Sequence, residues 1–457
     1  MELVNIDQSL CTGCRRCAEV CPVDAIVGRE NEPQTINTSK CVSCGQCIQI
    51  CNAYASEFTL GTQAIEVKKV QRGMLKSVKE PLFAAYNQGQ VEQLKDKLAN
   101  PQLFKIVQCA PAVRVALGEE FAMPFGALTA GKLASALKRL QFDRVYDTNF
   151  AADLTIMEEG SELIERIQKN ENLPMMTSCC PAWVKFAEDN YPELLNHLSS
   201  CKSPQQMAGA IFKTYGAKLD KKSPEQIYSV AVMPCTCKSF ECEREEMKSS
   251  GYQDVDLVIT TRELAQLIKD QGIDFQGLED ADFDQPLGHY SGAGNIFGAT
   301  GGVMEAAIRT GYELITQRSI PDLNLTFIRG EEGIRTASVQ IDDLELKIAV
   351  ISGLKHVRNI MEAIKTGDCD YHFIEVMTCP QGCVSGGGQP KLILEEYKTQ
   401  AYAARKASLY QHDATLKVRK SHENPGIKKL YADFLEKPLG HKSHELLHTH
   451  YINRKEG

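Results

Sequence analysis

The sequence predicts a mixed α+β and α/β protein in three parts: a small cysteine-rich domain, a larger α/β body and a helical tail. Three observations lead to this prediction. Two cysteine motifs of identical spacing fill the first 51 residues, where eight of the eighteen cysteines lie. Helical patterns then alternate with short apolar runs, which is typical of an α/β body with a mostly parallel sheet. Beyond Gln400 the sequence is polar and helical in pattern, with few apolar runs.

Length and composition are those of an ordinary globular protein. The 457 residues are enough for two or three domains, and 43% hydrophobic with 24% charged residues is a common balance. The net charge of -8 argues against a nucleic-acid partner, and no apolar run reaches membrane-spanning length. The N-terminus lacks a secretory signal pattern, so the cysteines indicate metal or redox chemistry rather than disulfides. We therefore expect a cytoplasmic metalloprotein that binds neither nucleic acid nor a membrane.

The N-terminal motif has the spacing C-x2-C-x2-C-x3-C and occurs twice. It is typical of bacterial ferredoxins, in which three thiolates of one repeat and the last thiolate of the other hold each [4Fe–4S] cluster. The spacing predicts one cluster on Cys11, Cys14, Cys17 and Cys51. It predicts a second cluster on Cys41, Cys44, Cys47 and Cys21. Zinc knuckles are the alternative, but they use C-x2-C pairs and fit a three-plus-one pattern badly.

Short apolar runs in the body predict buried strands. Lys105–Val107, Ile227–Val232 and Leu346–Ile351 are runs of this kind. Two cysteine motifs leave the ends of apolar runs, namely Met233–Glu241 (MPCTCKSFE) and Glu375–Pro390 (EVMTCPQGCVSGGGQP). Because ligands of α/β proteins bind beyond the carboxyl ends of the strands, we expect a site there.

Ten cysteines lie outside the N-terminal motifs, and composition alone does not choose among them. Neighbouring Pro and Gly residues favour four as ligands of a third cluster: Cys180, Cys235, Cys379 and Cys383. The glycines after Cys383 let the backbone approach something bulky, because glycine has no Cβ and accepts positive φ. Four others have no partner spacing and are interpreted as buried structural thiols: Cys109, Cys201, Cys242 and Cys369.

Three stretches together resemble the signature motifs of the [FeFe]-hydrogenases: Thr177–Trp183 (TSCCPAW), Met233–Glu241 and Glu375–Pro390. The resemblance covers nearly the whole chain. It implies three domains, which are a two-[4Fe–4S] ferredoxin-like domain at residues 1–80, a two-lobed catalytic domain at 81–395 and a small-subunit-like helical segment at 396–457.

The resemblance also implies the cofactor and the reaction. In this family a [4Fe–4S] cubane is joined through one cysteine sulfur to a two-iron unit that carries CO, cyanide and an azadithiolate bridge. By position, Cys180, Cys235, Cys379 and Cys383 would hold the cubane, and Cys383 would bridge to the two irons. The implied reaction is 2H⁺ + 2e⁻ ⇌ H₂. Electrons would come from a ferredoxin or a similar low-potential carrier through the two N-terminal clusters, and maturation proteins would supply the two-iron unit.

A proton route is implied by position as well. Cys179 matches the thiol that passes protons to the bridge amine, and a thiol can both give and take a proton near neutrality. The route continues through Glu159, Ser199, Glu162 and Arg166. Glu159, Glu162 and Arg166 fall at i, i+3 and i+7, so they share one face of a helix. An exposed, salt-bridged face is the alternative that the spacing alone favours.

Further residues are implied to contact the cofactor. Lys238 would donate to an iron-bound cyanide, because a compact positive charge suits a small anionic ligand. The other contacts would be Pro111, Gln205, Met233, Met377, Phe297 and Gly298. For the two methionines an ordinary core position is the alternative. Four residues depart from the commonest family motifs and are expected to alter the tuning of the site: Ala112, Ala182, Cys237 and Gln381.

Two short motifs are set aside. His444–His448 (HELLH) matches the HExxH pattern of zinc proteases, but no third ligand is evident. Gly292–Gly298 imitates a dinucleotide fingerprint, but its third glycine is one residue late and no convincing strand precedes it. Close backbone packing near the site is the preferred interpretation of these glycines.

Three other functions compete with a hydrogenase. A cluster-assembly relative without the two-iron unit would not need Cys179, Lys238 or the acidic residues, all of which are present. A hydrogen sensor would carry a signalling domain, and the sequence predicts none. A multi-cluster electron carrier would not explain the acidic route or the glycine-rich loop.

Overall fold

The computed structural model describes residues 3–55, 82–331 and 333–455. The expected domain limit after residue 80 falls outside these residues. The strands of the described part are β1 (Val4–Ile6), β2 (Ile26–Val27), β3 (Thr35–Ile36), β4 (Tyr54–Ala55), β5 (Leu82–Phe83), β6 (Ala85–Asn87), β7 (Phe104–Cys109), β8 (Arg144–Asp147), β9 (Met175–Met176), β10 (Ile227–Met233), β11 (Leu257–Thr260), β12 (Gly333–Ile341), β13 (Leu344–Ser352) and β14 (Phe373–Met377).

Helices follow most of these strands, as the alternating pattern predicts. The α-helices of the described residues are α1 (Arg16–Glu19), α2 (Gln46–Ile50), α3 (Val91–Leu98), α4 (Ala130–Arg139), α5 (Thr148–Lys169), α6 (Pro181–Asn190), α7 (Pro204–Ile211), α8 (Ala217–Asp220), α9 (Lys238–Cys242), α10 (Thr261–Asp270), α11 (Gly292–Ile296), α12 (Gly302–Thr316), α13 (Val357–Thr366), α14 (Glu395–Thr415), α15 (Pro425–Leu430) and α16 (His441–Leu447). No helix in this part of the chain combines the length and apolar character needed to cross a membrane.

The first large sheet has four parallel strands in the order β11-β10-β7-β8. Strands β7 and β10 are buried over nearly their whole length, which is why they are continuous apolar runs rather than alternating ones. Their register places Cys109 opposite Val232, so the two strands end side by side. The prediction of a mostly parallel α/β body is confirmed by this sheet.

The second large sheet has the order β12-β13-β14-β9. Strands β13, β14 and β9 are parallel, whereas β12 and β13 form an antiparallel hairpin at one edge. Exposed and half-buried residues alternate along β12, as expected for an edge strand with one solvated face. The two sheets and their helices form the two lobes that the resemblance implies.

Helix α5 lies between the two lobes and contacts the core of each. Phe150 and Leu154 pack in the apolar cluster that includes Ile106 of β7. Ala152 and Ile156 pack in the cluster that contains residues of β13 and β14. A helix buried on both sides is apolar on both sides, so the few acidic residues along it stand out as candidates for function.

The N-terminal part consists of short strands and helices that dock on the body. Gln49 of α2 is buried, and its Nε2 donates to the carbonyl oxygens of Gly386 and Gln389, each at 3.0 Å. Thr236 Oγ1 donates to the carbonyl of Ser43 at 2.6 Å. These bonds join the N-terminal cysteine motifs to the loops that follow β10 and β14.

The C-terminal segment is helical, as predicted, but it is more deeply buried than its polar sequence indicates. Leu409, Leu430 and Leu447 are fully buried in the described structure. Its charged residues are buried through ion pairs: Arg405 binds Glu119, and Asp413 binds Arg309. Paired charges lie inside a protein far more readily than isolated ones, which explains why apolar runs are not needed here.

Candidate active site

The carboxyl ends of four strands meet where the two lobes face each other. Strand β7 leads into Ala110 and Pro111, β10 ends at Met233, and β14 ends at Met377. The TSCCPAW stretch follows β9, which pairs in parallel with β14. All three cysteine motifs of the body therefore leave strand ends at one place; the sequence predicts strand ends for two of them, and the structure adds the TSCCPAW stretch.

A cavity of about 90 Å³ occupies this junction. The predicted ligands Cys180, Cys235, Cys379 and Cys383 all line it. The other predicted residues on its wall are Cys179, Lys238, Pro111, Gln205, Met233, Met377 and Phe297. Three distant stretches of sequence thus converge on one space that is walled mainly by sulfur and apolar groups.

The four predicted ligand thiols are close enough to affect one another. Burial first, and then the neighbouring Cys180, raise the pKa of Cys235 to about 12. Burial, Cys180 and Cys235 likewise raise the pKa of Cys383 to about 12. The pKa of Cys379 is raised well above the usual range by burial and by Cys235. Buried thiolates that repel one another require a positively charged partner, so this donor set fits a [4Fe–4S] cluster.

The glycine-rich loop after Cys383 is packed against other backbone. A Cβ on Gly386 would lie 2.2 Å from the Pro234 carbonyl oxygen, and one on Gly387 would lie 2.6 Å from the Cys44 carbonyl oxygen. Such distances exclude any larger residue without movement of the chain. The loop therefore brings the β10 loop, the β14 loop and the N-terminal cysteines together.

Lys238 and Gln205 are the polar residues of the cavity wall besides the cysteines and threonines. Lys238 Nζ donates to the Cys179 carbonyl at 3.1 Å and to Glu241 Oε2 at 2.8 Å. Gln205 Nε2 donates to the same Glu241 oxygen at 3.2 Å. Oε1 of Gln205 is buried and has no hydrogen-bond partner among the described residues. The ammonium group of Lys238 has three N–H donors and uses two of them in the bonds above, so one remains for a group inside the cavity.

The predicted proton-route residues form a line from the cavity towards the surface. Cys179 lies on the cavity wall, and Glu159 is close enough to raise the pKa of its thiol, second only to burial. Ser199 Oγ donates to Glu162 Oε2 at 2.8 Å, and Glu162 Oε1 accepts from Arg166 Nη2 at 2.7 Å. Glu159, Glu162 and Arg166 all lie on α5, as their spacing predicts.

Glu159 is the most unusual carboxyl group of this line. It is 1% exposed, and neither of its oxygens has a hydrogen-bond partner within the described ranges. Burial, followed by the charge of Glu162, raises its pKa to about 8. The Ser199 hydroxyl lowers this pKa from nearby, although its hydrogen bond goes to Glu162. A carboxyl with this pKa can both donate and accept a proton near neutral pH.

Gly298 is the one predicted cofactor contact that does not line the cavity. Its carbonyl accepts from the Val384 amide at 3.1 Å, and a Cβ there would lie 2.7 Å from Leu409 Cδ1. Its contact with the cofactor stays a prediction. Gly298 allows α14 to pack against the loop that carries Cys383.

The N-terminal cysteines form the two predicted groups. Burial, followed by Cys11, Cys51 and Cys14, raises the pKa of Cys17 to about 11. In the second group, burial and the nearby Cys44 and Cys41 raise the pKa of Cys47 well above its usual range. Backbone amides point at the sulfurs, for example Gln34 N at 3.3 Å from Cys11 Sγ and Ala25 N at 3.3 Å from Cys21 Sγ. N–H···S contacts of this kind are typical of iron–sulfur sites and support the fit.

Two polar contacts to the predicted cubane ligands have no sequence signal. Gln46 Nε2 donates to Cys379 Sγ at 3.3 Å, although 333 residues separate them in the chain. Thr378 Oγ1 lies 3.2 Å from Cys180 Sγ. Neither residue has a spacing or a composition that marks it, so only the fold reveals these contacts.

Three of the four cysteines interpreted as structural thiols are buried, namely Cys109, Cys201 and Cys242. Cys369 is only half-buried, which corrects the expectation for that residue. It follows the loop after α13 and lies at the edge of an apolar cluster rather than inside it. Gly294 packs its backbone against Asn149 O, consistent with close packing rather than dinucleotide binding.

Comparison with known families gives a consistent result over the whole described body. Residues 104–387 match the family model described as the iron-only hydrogenase large subunit, C-terminal domain. Residues 399–454 match the iron hydrogenase small subunit, and residues 3–52 match a 4Fe–4S dicluster domain.

Individual relatives agree with the family models. A subunit named NADP-reducing hydrogenase subunit HndD, from Solidesulfovibrio fructosivorans, is 49% identical over 82% of this chain and 64% of its own length. The chain thus spans under two thirds of that relative. The periplasmic [Fe] hydrogenase large subunit of Nitratidesulfovibrio vulgaris is 43% identical over 90% of this chain and 92% of its own. A solved apo [FeFe]-hydrogenase HydA1 variant from Chlamydomonas reinhardtii is 41% identical, with a TM-score of 0.71 over 80% of this chain and 99% of that one.

Proposed function

The chain belongs to the iron-only, or [FeFe], hydrogenase family, and from this premise we propose that it catalyses 2H⁺ + 2e⁻ ⇌ H₂. One observation carries the proposal: four thiols line a single cavity, and a fifth thiol and a lysine lie beside them on its wall. A cavity that only stored electrons would not need the extra thiol, the lysine or a buried line of proton-exchanging groups.

In this proposal Cys180, Cys235, Cys379 and Cys383 would hold the cubane, and Cys383 would be the cysteine nearest the two-iron unit. When bound, this cofactor supplies the electrons and the metal at which hydrogen is made or split. Lys238 offers its remaining N–H to a negatively charged ligand of the cofactor. The apolar residues of the wall keep water out: Pro111, Met233, Met377 and Phe297.

The acidic line on α5 carries the protons in this proposal. Cys179 exchanges a proton with the cofactor side of the cavity and with Glu159 on the other side. Glu159 exchanges with Ser199, whose hydroxyl is bonded to Glu162. Glu162 is the last carboxylate before Arg166, and the guanidinium of Arg166 holds it in place. Each step moves one proton between neighbouring oxygen or sulfur atoms.

Replacement of Cys179 by alanine tests the role of this thiol. Cys179 is not among the proposed ligands, so Cys179→Ala should keep the iron content and the spectra of all clusters. Turnover should fall by about a hundredfold or more, because the first proton acceptor is lost. Hydrogen evolution and iron content are to be measured on the same samples.

Cys242→Ala is the matched control, since Cys242 is a buried thiol of the first lobe that does not line the cavity. Its activity should equal that of the unmodified protein. Full activity in Cys179→Ala would remove Cys179 from the proton route.

Infrared spectroscopy separates this function from the alternatives. Protein made together with the maturation proteins should show bands of iron-bound CO and cyanide. A relative that works in cluster assembly would show cluster absorbance without these bands. A hydrogen sensor would show the bands but turn over slowly and respond only with its partner.

The electron partner in this proposal is a ferredoxin or a similar low-potential carrier. Cys14 is exposed, so a carrier can approach the cluster on Cys11, Cys14, Cys17 and Cys51. Cys44, a proposed ligand of the second N-terminal cluster, is near Cys235 on the cavity wall. The two N-terminal cluster sites and the cavity would therefore follow one another from the surface inwards. Reduction of ferredoxin under H₂ tests this partner, and reduction of NADP by a larger complex is the competing outcome.

We place the protein in the cytoplasm as part of the proposal, because a reducing compartment keeps eighteen thiols available for metal. The relative from Nitratidesulfovibrio vulgaris is named as periplasmic, so fractionation of cells is the deciding measurement. The proposed domains keep the limits 1–80, 81–395 and 396–457, and limited proteolysis tests them.

A further inference from the structure

We propose that His448 and His444 of the HELLH stretch form a proton outlet that branches from Glu162 to the surface. This inference rests on the proposed proton route up to Glu162 and adds residues that the route does not include. It gives a function to the one sequence motif that the active site leaves unexplained.

The expected outer end of the route is poorly suited to releasing protons. Arg166 lies across it, and its guanidinium donates to Glu162 and to the carbonyl oxygens of Asn196 and Leu198. An arginine stays protonated at all working pH values and has no acceptor atom. It can hold Glu162 in place, but it cannot take up the proton that Glu162 must exchange.

A histidine lies next to the same carboxylate. Atoms of Glu162, Cys201 and His448 that can bind a proton lie within 4.8 Å of one another, and all three residues are buried. A gap of this size is spanned by one water molecule or by a hydroxyl group. Histidine is the side chain best able to gain and lose a proton near neutral pH.

Both ring nitrogens of His448 already have hydrogen-bond partners. Nδ1 lies 2.8 Å from Ser200 Oγ, and Nε2 lies 3.2 Å from Glu158 Oε2. Burial raises the pKa of Glu158, but hydrogen bonds from His448 and Tyr431 outweigh it and keep that pKa below its usual value. We therefore assign the Nε2 proton to the bond with Glu158, which leaves Nδ1 to accept from Ser200. A ring bonded on both sides can take a proton at one nitrogen and release one from the other.

The backbone fixes His448 at this place. The backbone of His448 pairs with that of Cys201 in an isolated antiparallel bridge. On either side, the Lys202 amide donates to the Leu447 carbonyl and the Thr449 amide donates to the Ser200 carbonyl, each at 2.8 Å. The C-terminal segment is thus held against the residues that follow Ser199, which is itself part of the proposed route.

His444 connects this buried ring with solvent. It is exposed on α16, one turn before His448, and the two ring centroids are 4.4 Å apart. Burial and the neighbouring His448 lower the pKa of His444, whereas Glu158, Glu162 and Glu165 act in the opposite direction. The exposed ring of His444 thus lies between solvent and the buried ring of His448, so the pair can exchange protons between the surface and Glu162.

Zinc binding is the competing interpretation of an HExxH stretch. In a zinc site both histidines would point at one ion, with a third ligand nearby. Here His444 is exposed and His448 is buried and bonded to Ser200 and Glu158. The two rings therefore do not present a common pair of free nitrogens, and the relay is the interpretation that these bonds favour.

The test compares histidine variants of the fully matured protein. His448→Gln should lower hydrogen turnover by about tenfold and should increase the ratio of the rates in H₂O and D₂O, because proton exchange becomes limiting. His444→Gln, which changes only an exposed side chain, should lower turnover by a smaller factor of about two to three. His441→Gln is the matched control, an exposed histidine of the same helix, and should leave the turnover unchanged.

Chemical rescue separates a proton relay from a structural role. Added imidazole should restore turnover to His448→Ala, whereas pyrazole, which has the same shape and much weaker basicity, should not. Restoration by both compounds would mean that the ring only fills space and would overturn the proposal. Full activity in both His448→Gln and His444→Gln would overturn it as well.

The outcomes also distinguish this inference from the proposed function. Infrared bands and turnover in the unmodified protein test the hydrogenase function by themselves. If these are present and the histidine variants behave like the unmodified protein, only the outlet is wrong. If the unmodified protein lacks both, the function itself is wrong.

Discussion

At the scale of single residues, the site depends on polar groups whose usual partners are missing. Glu159 is buried without a hydrogen-bond partner in the described structure, and Gln205 Oε1 is in the same condition on the cavity wall. Each such group costs stability, which a protein tolerates where the group is needed for chemistry. The cost at Glu159 can be measured because it depends on pH.

Glu159→Gln should make the protein more stable as the pH rises, relative to the unmodified chain. The pKa of Glu159 is about 8 in the folded protein, against 4.5 for an ordinary glutamate, so the folded state binds the extra proton between these values. Stability therefore falls by about 1.4 kcal/mol per pH unit as the pH rises through this window, and is constant above it. Glu159→Gln has no carboxyl group at this position, so its stability should not fall in this way.

Urea unfolding between about pH 6 and pH 8 measures the effect as a difference in slope. Glu165→Gln, on the same helix but half-exposed, is the control and should keep the slope of the unmodified protein. Equal slopes for Glu159→Gln and the unmodified chain would mean that Glu159 is ionised in the fold. Turnover of Glu159→Gln should fall although its stability rises, because an amide cannot carry the proton.

Most of the cysteines proposed as ligands have a local signal in the sequence, whereas the roles of Cys180 and Cys235 rest on the family resemblance. Cys11 to Cys51 follow a fixed spacing, and Cys379 and Cys383 lie on one loop with Pro and Gly neighbours. The contact of Gln46 with Cys379 and that of Ser200 with His448 could not be predicted. Each joins residues more than 240 positions apart, and glutamine, serine and histidine are common at ordinary surfaces.

At the scale of elements, α5 is the structural support of the proposed proton route. Its N-cap is Asp147, which accepts from the Asn149 amide and is also bound by Arg114 at 2.7 Å. Asp147 and Arg114 are both fully buried, and Arg114 stacks over the ring of Tyr290 at 5.0 Å. The pair joins the loop after β7 to the start of α5, so it fixes the helix relative to the first sheet.

Arg114→Leu should destabilise the protein by about 3–5 kcal/mol, because Asp147 would be left charged and unpaired in the core. Lys169→Gln is the matched control at the other end of α5. Lys169 pairs with Glu165 at the surface, where solvent screens the two charges, so loss of this pair should change the stability little. The two free energies of unfolding are to be compared by urea titration, and a cost below about 1 kcal/mol for Arg114→Leu would contradict the account of this pair.

Strands β7, β10 and β14 were predictable from continuous apolar runs, since both of their faces are covered. The burial of the C-terminal helices was not predictable in the same way. Arg405 and Asp413 of α14 are buried because their partners Glu119 and Arg309 come from distant elements. A polar sequence gives no sign of such pairing before the fold is known.

At the scale of the whole molecule, the N-terminal part and the body share one boundary that passes beside the cavity. Gln46 and Gln49 of α2 both reach across it. Only Gln46 touches a sulfur, whereas Gln49 binds carbonyl oxygens. This difference allows the electrostatic effect of the contact to be separated from its effect on docking.

Gln46→Leu should lower the reduction potential of the cubane proposed for Cys180, Cys235, Cys379 and Cys383. A donor to a ligand sulfur stabilises the reduced, more negative cluster, so its loss makes reduction harder. A difference of about 1 kcal/mol corresponds to a shift on the order of 50 mV for one electron. The potential is to be read from the electron paramagnetic resonance signal during redox titration. Gln49→Leu should leave it unchanged, and equal shifts in both variants would assign the effect to docking instead.

The convergence of three stretches on one cavity also determines when that cavity can exist. A ribosome releases the chain from its first residue onwards, so the N-terminal part, whose strand β1 pairs with β6, can fold once Asn87 has been made and while most of the body is still being made. The cavity can form around Cys180 and Cys235 only after Cys379, Cys383 and the Gly386 loop have been made. A metal group held by all four of these cysteines could therefore enter only after the Gly386 loop has been made, later than the groups proposed for the first 51 residues.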